Sequence, residues 1–293
     1  MQLETMWLYL LNSIRAKRHP KKLYADPLRA PHDYYRKALR NAPLTNQKIS
    51  IILSFNNLNF KSFMWLINSS IGRKVVMALT GVALVLFLTF HMSMNVVALF
   101  SGDAYNMICE FLGANWYAVV ATMGLAALCV LHFVYAFWLT MQNRAARGNS
   151  RYEVTAKPKG VEWASQNMLV LGIIVVLGML LHLFNFWYNM MFAELLGFEG
   201  VCAPADGFGW IQETFKNPVY VVLYIVWLVA LWFHLSHGFW SAMQTFGWNG
   251  KVWFCRWKVI SQVYSTLLVL GFLVVVVLFA LGCAPSLCCG SCC

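Results

Sequence analysis

Charged side chains are scarce in this chain of 293 residues. Lys, Arg, Asp and Glu together make up 11% of the sequence, while hydrophobic residues make up 60%. An ordinary soluble domain carries about 25% charged residues. Because so few charges cannot cover the surface of a soluble protein of this length, the composition excludes the ordinary soluble class and predicts an integral membrane protein.

Proline and charge are both missing from the interior of five long apolar stretches. They cover approximately residues 75–100, 117–141, 166–192, 218–244 and 259–281, with Pro218 at the start of the fourth. About 20 helical residues are needed to cross roughly 30 Å of hydrocarbon. The runs 169–183 and 267–281 also lack the polar stripe of a soluble amphipathic helix. The sequence therefore predicts an all-α fold, an integral membrane five-helix transmembrane bundle.

Basic residues are nearly absent from one side of this topology. Lys216 is the only one there from residue 64 onward, and six of the eight acidic residues of that region accompany it. The other ten basic residues lie on the opposite side: Arg73, Lys74, Arg144, Arg147, Arg151, Lys157, Lys159, Lys251, Arg256 and Lys258. By the positive-inside rule the basic side is the cytoplasm, or the matrix of an organelle, so the first span starts inside and the fifth ends outside. We expect a multi-pass protein of the cell inner (cytoplasmic) membrane, with the N-terminus of the bundle in the cytoplasm and the C-terminus outside.

The net charge of +11 comes largely from residues 1–63, which hold eleven basic and three acidic residues and no membrane span. We therefore expect no nucleic-acid partner and assign 1–63 to a basic extension outside the bundle. Three interpretations of it stay open: a transit peptide, a disordered arm, or an upstream stretch that precedes a native start at Met64. The bundle domain is then 64–282.

The last segment, 283–293, is rich in cysteine. Five of the nine cysteines lie in it, namely Cys283, Cys288, Cys289, Cys292 and Cys293. Their spacing matches no established zinc or iron–sulfur pattern. An unstructured tail is the favoured prediction, and disulfide formation or metal binding on the outer side is the alternative.

Four histidines lie inside the spans, and an ionisable group in hydrocarbon predicts a functional site. At 1.5 Å per residue, His91 lies about 27 Å from the inner edge and His182 about 30 Å from it. His132 and His234 each lie about 18 Å from that edge. The outer layer (His91 and His182) and the inner layer (His132 and His234) are thus about 10 Å apart. Two pairs at two depths predict two haem b groups, each iron held by two imidazoles.

His237 complicates the assignment in the fourth span. It lies three residues after His234, so spacing alone leaves either residue as the iron ligand. A helix–helix hydrogen bond would explain one isolated histidine, and a proton relay in a transporter would explain several. A transporter should also show broken helices or an inverted repeat, and neither is evident in the sequence.

The chain resembles the cytochrome b membrane anchor of succinate dehydrogenase and quinol:fumarate reductase, of the single-subunit, five-helix, two-haem type. The resemblance covers about residues 64–281. It rests on Phe-His-Met at 90–92 followed by Ser-Gly-Asp at 101–103, Leu-His-Phe-Val-Tyr at 131–135, Leu-His-Leu-Phe at 181–184, and Phe-His-Leu-Ser-His-Gly-Phe-Trp-Ser at 233–241. In the family the last ligand precedes an aromatic–Gly pair by twelve residues. Here that pair is Phe246-Gly247, which selects His234.

The resemblance implies that this chain is the electron-transfer subunit of an oxidoreductase complex. A flavoprotein subunit would hold the dicarboxylate site, and an iron–sulfur subunit would pass electrons to the anchor. Both would dock on the cytoplasmic face against the loops 144–160 and 248–258, with lipid around the spans. A quinone, menaquinone in this type, would react near the outer haem. The alternative is the cytochrome b subunit of a hydrogenase or formate dehydrogenase, in which two ligands often lie on one helix.

Quinone chemistry moves protons together with electrons, so a quinone site needs a proton acceptor. Glu110, in the first outer loop, is the candidate for this catalytic role, although the spacing after Gly-Asp differs from the family pattern. The inner haem's propionates would be served by residues near the basic side. The candidates are Ser70, Arg73, Lys74, Trp163, Gln166 and His237.

Overall fold

Five long helices make up most of the structure. The computed structural model describes residues 68–113, 115–147, 162–198, 200–284 and 286, and within these residues it is helical with no strand. The helices long and apolar enough to cross a membrane are Ser70–Val97, Trp116–Ala146, Met168–Leu196, Pro218–Thr245 and Trp253–Ala280, called the first to fifth spans below. The predicted all-α five-span architecture is confirmed, with helix ends displaced by up to six residues.

Many apolar side chains of the spans lie on the outer surface of the bundle. Between 6% and 33% of the residues in the most apolar stretch of each span are buried within the chain. Large side chains such as Leu86, Met123 and Leu267 are more than half exposed. Such surfaces would be unfavourable in water and are suited to lipid, so the structure supports a multi-pass membrane protein.

The fourth span is at the centre of the bundle, and it packs against the first, third and fifth spans. The second span stands at the edge and contacts mainly the first. Leu228, Leu231 and Leu235 of the fourth span form the middle of the core with Leu268 and Val276 of the fifth. Every span that carries a predicted haem ligand therefore reaches the fourth span directly or through the first.

The helix ends follow local chemistry. Ser69 caps the first span, where its hydroxyl accepts a hydrogen bond of 2.8 Å from the backbone N–H of Gly72. Asn217 caps the fourth span through the N–H of Val219, and Pro218 follows at the first helical position, where no N–H is needed. These caps fix the residues at which the first and fourth spans begin.

Two short helices cover one end of the bundle, and we call this the loop-helix end. They are Gly102–Phe111, between the first and second spans, and Gly207–Phe215, between the third and fourth. Asn106 joins them, because its amide donates to Asp206 at 2.7 Å and its oxygen accepts from the N–H of Phe208 at 2.8 Å. The sequence analysis expected plain loops at both places. The opposite end carries Arg73, Lys251, Arg256 and Lys258, and we call it the basic end.

The third span changes its winding directly after His182. Residues Leu183–Phe192 form a π-helix, an element that is rare and often marks a functional site. The Asn189 amide steadies it by donating to the carbonyls of Phe184 and Asn185, at 3.1 and 2.9 Å. The span remains continuous, so it keeps the unbroken path expected from the sequence.

Part of the predicted organisation lies outside the described residues. This applies to the extension 1–63, to the start at Met64, and to the tail cysteines Cys288, Cys289, Cys292 and Cys293. Cys283 is described and is an exposed free thiol. Ser286, near the end of the described chain, bonds through its N–H and hydroxyl to the carbonyls of Leu99 and Ala98 at the end of the first span.

A close contact between the third and fourth spans gives a first test of the packing. A Cβ atom added to Gly178 would lie 2.1 Å from the indole of Trp227, whose Nε1–H donates to the Val175 carbonyl at 3.0 Å. We expect Gly178→Ala to lower the free energy of unfolding by about 1–3 kcal/mol, because the indole must move. Thermal unfolding in detergent measures this effect.

Gly124 in the second span provides the matched control, because nothing lies within 4 Å of a Cβ added there. We expect Gly124→Ala to leave the unfolding midpoint unchanged or slightly raised. Equal midpoints for the two variants would contradict the described contact between Gly178 and Trp227.

Candidate functional site: two histidine pairs between the spans

His91 of the first span and His182 of the third lie next to each other, and we call them the first pair. Their ring centroids are 5.7 Å apart and their planes are nearly perpendicular, at 80°. Phe87 and Phe272 flank His91, while Phe186 and Trp227 flank His182. The first pair is thus enclosed by aromatic side chains from four spans.

His132 of the second span and His234 of the fourth form the second pair. Their ring centroids are 6.4 Å apart, at an interplanar angle of 69°. Thr80 of the first span joins the site, because its hydroxyl oxygen lies 2.9 Å from Nδ1 of His132. The structure therefore brings together the same partners that the depth of each histidine predicts.

The two pairs occupy different levels of the bundle. On the fourth span, Trp227 lies beside His182 of the first pair, and His234 of the second pair follows seven residues later. On the first span, Thr80 contacts His132, and His91 follows eleven residues later. Helical rise converts these intervals into about 10 and 16 Å. Both spans give a separation that accommodates one cofactor above another.

Two glycines lie beside the rings of the second pair. A Cβ atom added to Gly81 would lie 3.4 Å from Cε1 of His132, and one added to Gly172 would lie 3.9 Å from Cε1 of His234. The Nδ1 atom of His234 is buried without a hydrogen-bond partner among the described residues. A buried, unpaired ring nitrogen is unfavourable unless a ligand occupies the site.

The ring separations suit a six-coordinate iron between two imidazoles. Two metal–nitrogen bonds of about 2 Å each, together with the ring radii, place the centroids about 6 Å apart. The observed values of 5.7 and 6.4 Å bracket this figure. Within the described ranges no group of three or more His, Cys, Asp or Glu side chains could hold a metal.

A polar network lies between the first pair and the loop-helix end. The Tyr105 hydroxyl donates to the amide oxygen of Asn95 at 3.2 Å, and the Asn95 amide nitrogen lies 3.4 Å from Nε2 of His91. Tyr105 is buried, and burial raises the pKa of its hydroxyl above its usual value. Burial also raises the pKa of the neighbouring Cys109 thiol to about 11. Both groups therefore stay protonated near neutral pH.

Glu110 lies elsewhere on the same short helix. It is exposed near the end of Gly102–Phe111, where its backbone carbonyl accepts from the Asn115 amide. The polar side chain that bonds to the His91 ring is Asn95, and Tyr105 bonds to Asn95 in turn. Neither was singled out by the sequence analysis, because a Tyr in a predicted loop and an Asn near a helix end are common in any protein.

The candidates for propionate contacts lie near the basic end, but they do not form one cluster. Arg73 of the first span lies over the ring of Trp138, 5.7 Å from its centroid. Trp163 packs against Phe233, the neighbour of His234, with ring centroids 5.2 Å apart. Ser70, Lys74 and Gln166 are exposed.

His237 belongs to an ionic cluster that the sequence analysis did not predict. Its Nδ1 lies 3.4 Å from Oε2 of Glu162, and Oε1 of Glu162 is 2.6 Å from Nζ of Lys258. The cluster therefore links the start of the third span to the fourth and fifth spans. An acidic residue at a span end that is otherwise basic was the signal that could have identified it.

Opposing influences act on the pKa of Glu162. Burial by itself would raise it, but the hydrogen bonds and charges of Lys258 and His237 outweigh burial and hold the pKa below its ordinary value of 4.5. A carboxyl group whose pKa is lowered by folding stabilises the folded state above the ordinary pKa. That stabilisation is lost as the pH falls through the lower, folded-state value.

Glu162→Gln tests this linkage. Near pH 7 we expect a decrease of up to about 1 kcal/mol in the free energy of unfolding, because the pair with the partly exposed Lys258 is lost. Below the ordinary pKa, at about pH 3.5, we expect the difference from the wild-type protein to shrink. Thermal unfolding at both pH values measures it.

The matched control is Glu213→Gln, which removes the exposed pair with Lys216 at the loop-helix end. Because that pair is solvated, we expect a smaller effect at either pH. A Glu162→Gln difference that is the same at both pH values would contradict the lowered pKa of this carboxyl.

Comparison with known proteins assigns no family to the chain. No protein-family model, curated protein or solved structure matches it. Since a fold by itself does not identify a function, the function has to be inferred from the chemistry of the site. The features available for this purpose are the two histidine pairs and their surroundings.

Proposed function

We propose that this chain is a dihaem cytochrome b that anchors a respiratory oxidoreductase complex in the membrane. Its role is to transfer electrons between an iron–sulfur subunit and a quinone in a complex of the succinate dehydrogenase and fumarate reductase type. The dicarboxylate would react on a separate flavoprotein subunit. This type of complex is proposed because the motifs around the four histidines resemble that family. The histidines are His91, His132, His182 and His234.

The observation that carries the proposal is the arrangement of four intramembrane histidines as two pairs at two levels. A single buried histidine is explained by packing or by a helix–helix hydrogen bond. Packing alone does not explain two facing pairs whose ring centroids are 5.7 and 6.4 Å apart, in an interior lined by aromatic residues and glycine. Binding of one haem by each pair of imidazoles explains both pairs.

In this proposal His91 and His182 hold one haem, and His132 and His234 hold the other. When bound, the haems would supply reversible one-electron chemistry. The residues of the chain hold the rings in place, exclude water and keep neutral imidazoles in the apolar interior. The second span packs mainly on the first, and His132 on it faces His234 of the fourth span.

We place the quinone near the first pair, as the family resemblance implies. Menaquinone is the proposed species, and the buried Tyr105 and Asn95 offer a hydroxyl and an amide at that end. Glu110 remains the proposed proton acceptor, reached from solvent. The hydrophilic subunits would bind the basic end, near Lys251, Arg256 and Lys258, in accordance with the predicted cytoplasmic orientation.

The surroundings of His237 bear on the competing type of cytochrome b, in which one helix provides two ligands. His237 is directed at Glu162 and Trp240, while His234 faces His132. This contrast favours one ligand on the fourth span. It therefore supports the succinate dehydrogenase and fumarate reductase type over the hydrogenase or formate dehydrogenase type.

Haem content tests the proposal directly. We expect the purified protein to show two b haems per chain in a reduced-minus-oxidised spectrum, quantified after extraction as the pyridine complex. His91→Ala or His182→Ala should remove one haem and His132→Ala or His234→Ala the other, because each iron loses an axial ligand.

His237→Ala is the matched control from the same span, and we expect it to retain both haems. Absence of haem from the wild-type protein would contradict the proposed function. Full haem content in His234→Ala, together with loss of a haem in His237→Ala, would instead show that His237 is the iron ligand on the fourth span.

The partner subunits provide an independent prediction. We expect gentle detergent extraction of the native membrane to co-purify the chain with a flavoprotein and an iron–sulfur protein. The extract should couple succinate or fumarate turnover to quinone. Co-purification with a metal-containing hydrogenase or formate dehydrogenase subunit would contradict the assignment of the complex and leave the haem ligation standing.

A further inference from the structure

Thr80 makes the one side-chain hydrogen bond that any histidine of the second pair forms within the described part of the chain. It is 6% exposed and faces the second span, with its Oγ1 atom 2.9 Å from Nδ1 of His132. The same Oγ1 lies 2.9 Å from the Val76 carbonyl and 3.1 Å from the Met77 carbonyl of its own helix. One hydroxyl group therefore meets two backbone acceptors and an imidazole nitrogen.

The Thr80 hydroxyl has one hydrogen, and three acceptors lie within hydrogen-bond distance of it: the Val76 carbonyl, the Met77 carbonyl and Nδ1 of His132. Back-bonding to the preceding turn is the usual position of a threonine hydroxyl in an apolar helix. With its hydrogen placed there, Oγ1 offers only lone pairs to His132. In that arrangement Nδ1 of His132 is the donor and carries the ring proton.

The tautomer follows from this assignment. A neutral imidazole has one N–H, so Nε2 of His132 keeps a free lone pair. His132 faces His234 across 6.4 Å between ring centroids. The next residue, Gly81, lies beside the ring, since a Cβ added there would be in ordinary van der Waals contact with Cε1 of His132 at 3.4 Å. Thr80 therefore provides the polar contact to the ring on this side.

We propose that Thr80 is the positioning residue that fixes His132 as an Nε2 ligand and, through the bond from Nδ1–H, tunes the haem of the second pair. The inference rests on the proposed function. A ligating histidine whose other nitrogen donates a hydrogen bond is oriented by it and becomes more basic. A more basic ligand stabilises ferric iron, so the bond lowers the midpoint potential of this haem.

His234 makes the effect of Thr80 specific. The Nδ1 atom of His234 is buried without a partner among the described residues, so no comparable bond orients it. Within the second pair, a hydrogen bond to Nδ1 therefore fixes the tautomer of His132 but not that of His234. Removal of the Thr80 hydroxyl should consequently change one haem and leave the haem of the first pair unchanged.

Thr80→Val is the variant that tests the proposal, because it removes the hydroxyl and retains the shape of the side chain. We expect the midpoint potential of one haem to shift to a more positive value, with an altered low-spin electron paramagnetic resonance signal for the same haem. The haem that is lost in His234→Ala identifies which signal belongs to the second pair. Thr80→Ser retains the hydroxyl and should restore the wild-type potential and signal.

Thr89→Val is the matched control in the same span. Its hydroxyl bonds to the Val85 carbonyl and to the Tyr264 hydroxyl, and it forms no hydrogen bond with a histidine of the described residues. We expect it to leave both potentials unchanged. Loss of the second-pair haem in Thr80→Val, with retention in Thr80→Ser and Thr89→Val, would also support the proposal.

Three results would overturn the inference. Unchanged potentials and signals in Thr80→Val, with two haems bound, would overturn it and leave the proposed function standing. Equal shifts of the haem potential in Thr80→Val and Thr89→Val would show that the effect comes from altered helix packing and not from the hydrogen bond to His132. A wild-type chain without haem would overturn the inference together with the proposed function.

Discussion

Four imidazoles must be accommodated inside an apolar bundle, and the arrangement of the spans follows from this requirement. A polar ring in hydrocarbon is unfavourable unless it has a partner. The bundle gathers the rings in two facing pairs, His91 with His182 and His132 with His234, and leaves Nδ1 of His234 without a hydrogen-bond partner among the described residues. Because the pairs join four different spans, the central fourth span has to approach the third, and the peripheral second span has to stay close to the first.

Small and aromatic residues adapt the interior to those pairs in different ways. Aromatic rings from several spans enclose the first pair, whereas Gly81 and Gly172 lie against the rings of the second. Trp227 reaches the level of the first pair by passing close over Gly178. These contacts explain how helices of nearly uniform hydrophobicity, with no polar stripe to orient them, still pack in one defined arrangement.

The two ends of the bundle place different chemistry beside the two pairs. At the loop-helix end, short helices joined by Asn106 bring the buried Tyr105 to Asn95, which lies one turn after His91 on the first span. At the basic end, Glu162 joins His237 and Lys258 from separate spans. A membrane subunit that exchanges electrons with a quinone on one side and a soluble partner on the other would use such an asymmetry.

The amino-acid sequence by itself determined the number of spans and the pairing of the histidines, because hydropathy and helical rise are local properties that depth arithmetic can combine. Only the tertiary structure decided the two loop helices, the link from Tyr105 to His91, the cluster at Glu162, and the contact of Thr80 with His132. Thr80 and His132 are 52 positions apart. Spacing along one helix gives the level of a residue but not the face it turns to a neighbour, and that rotation is set by packing between spans.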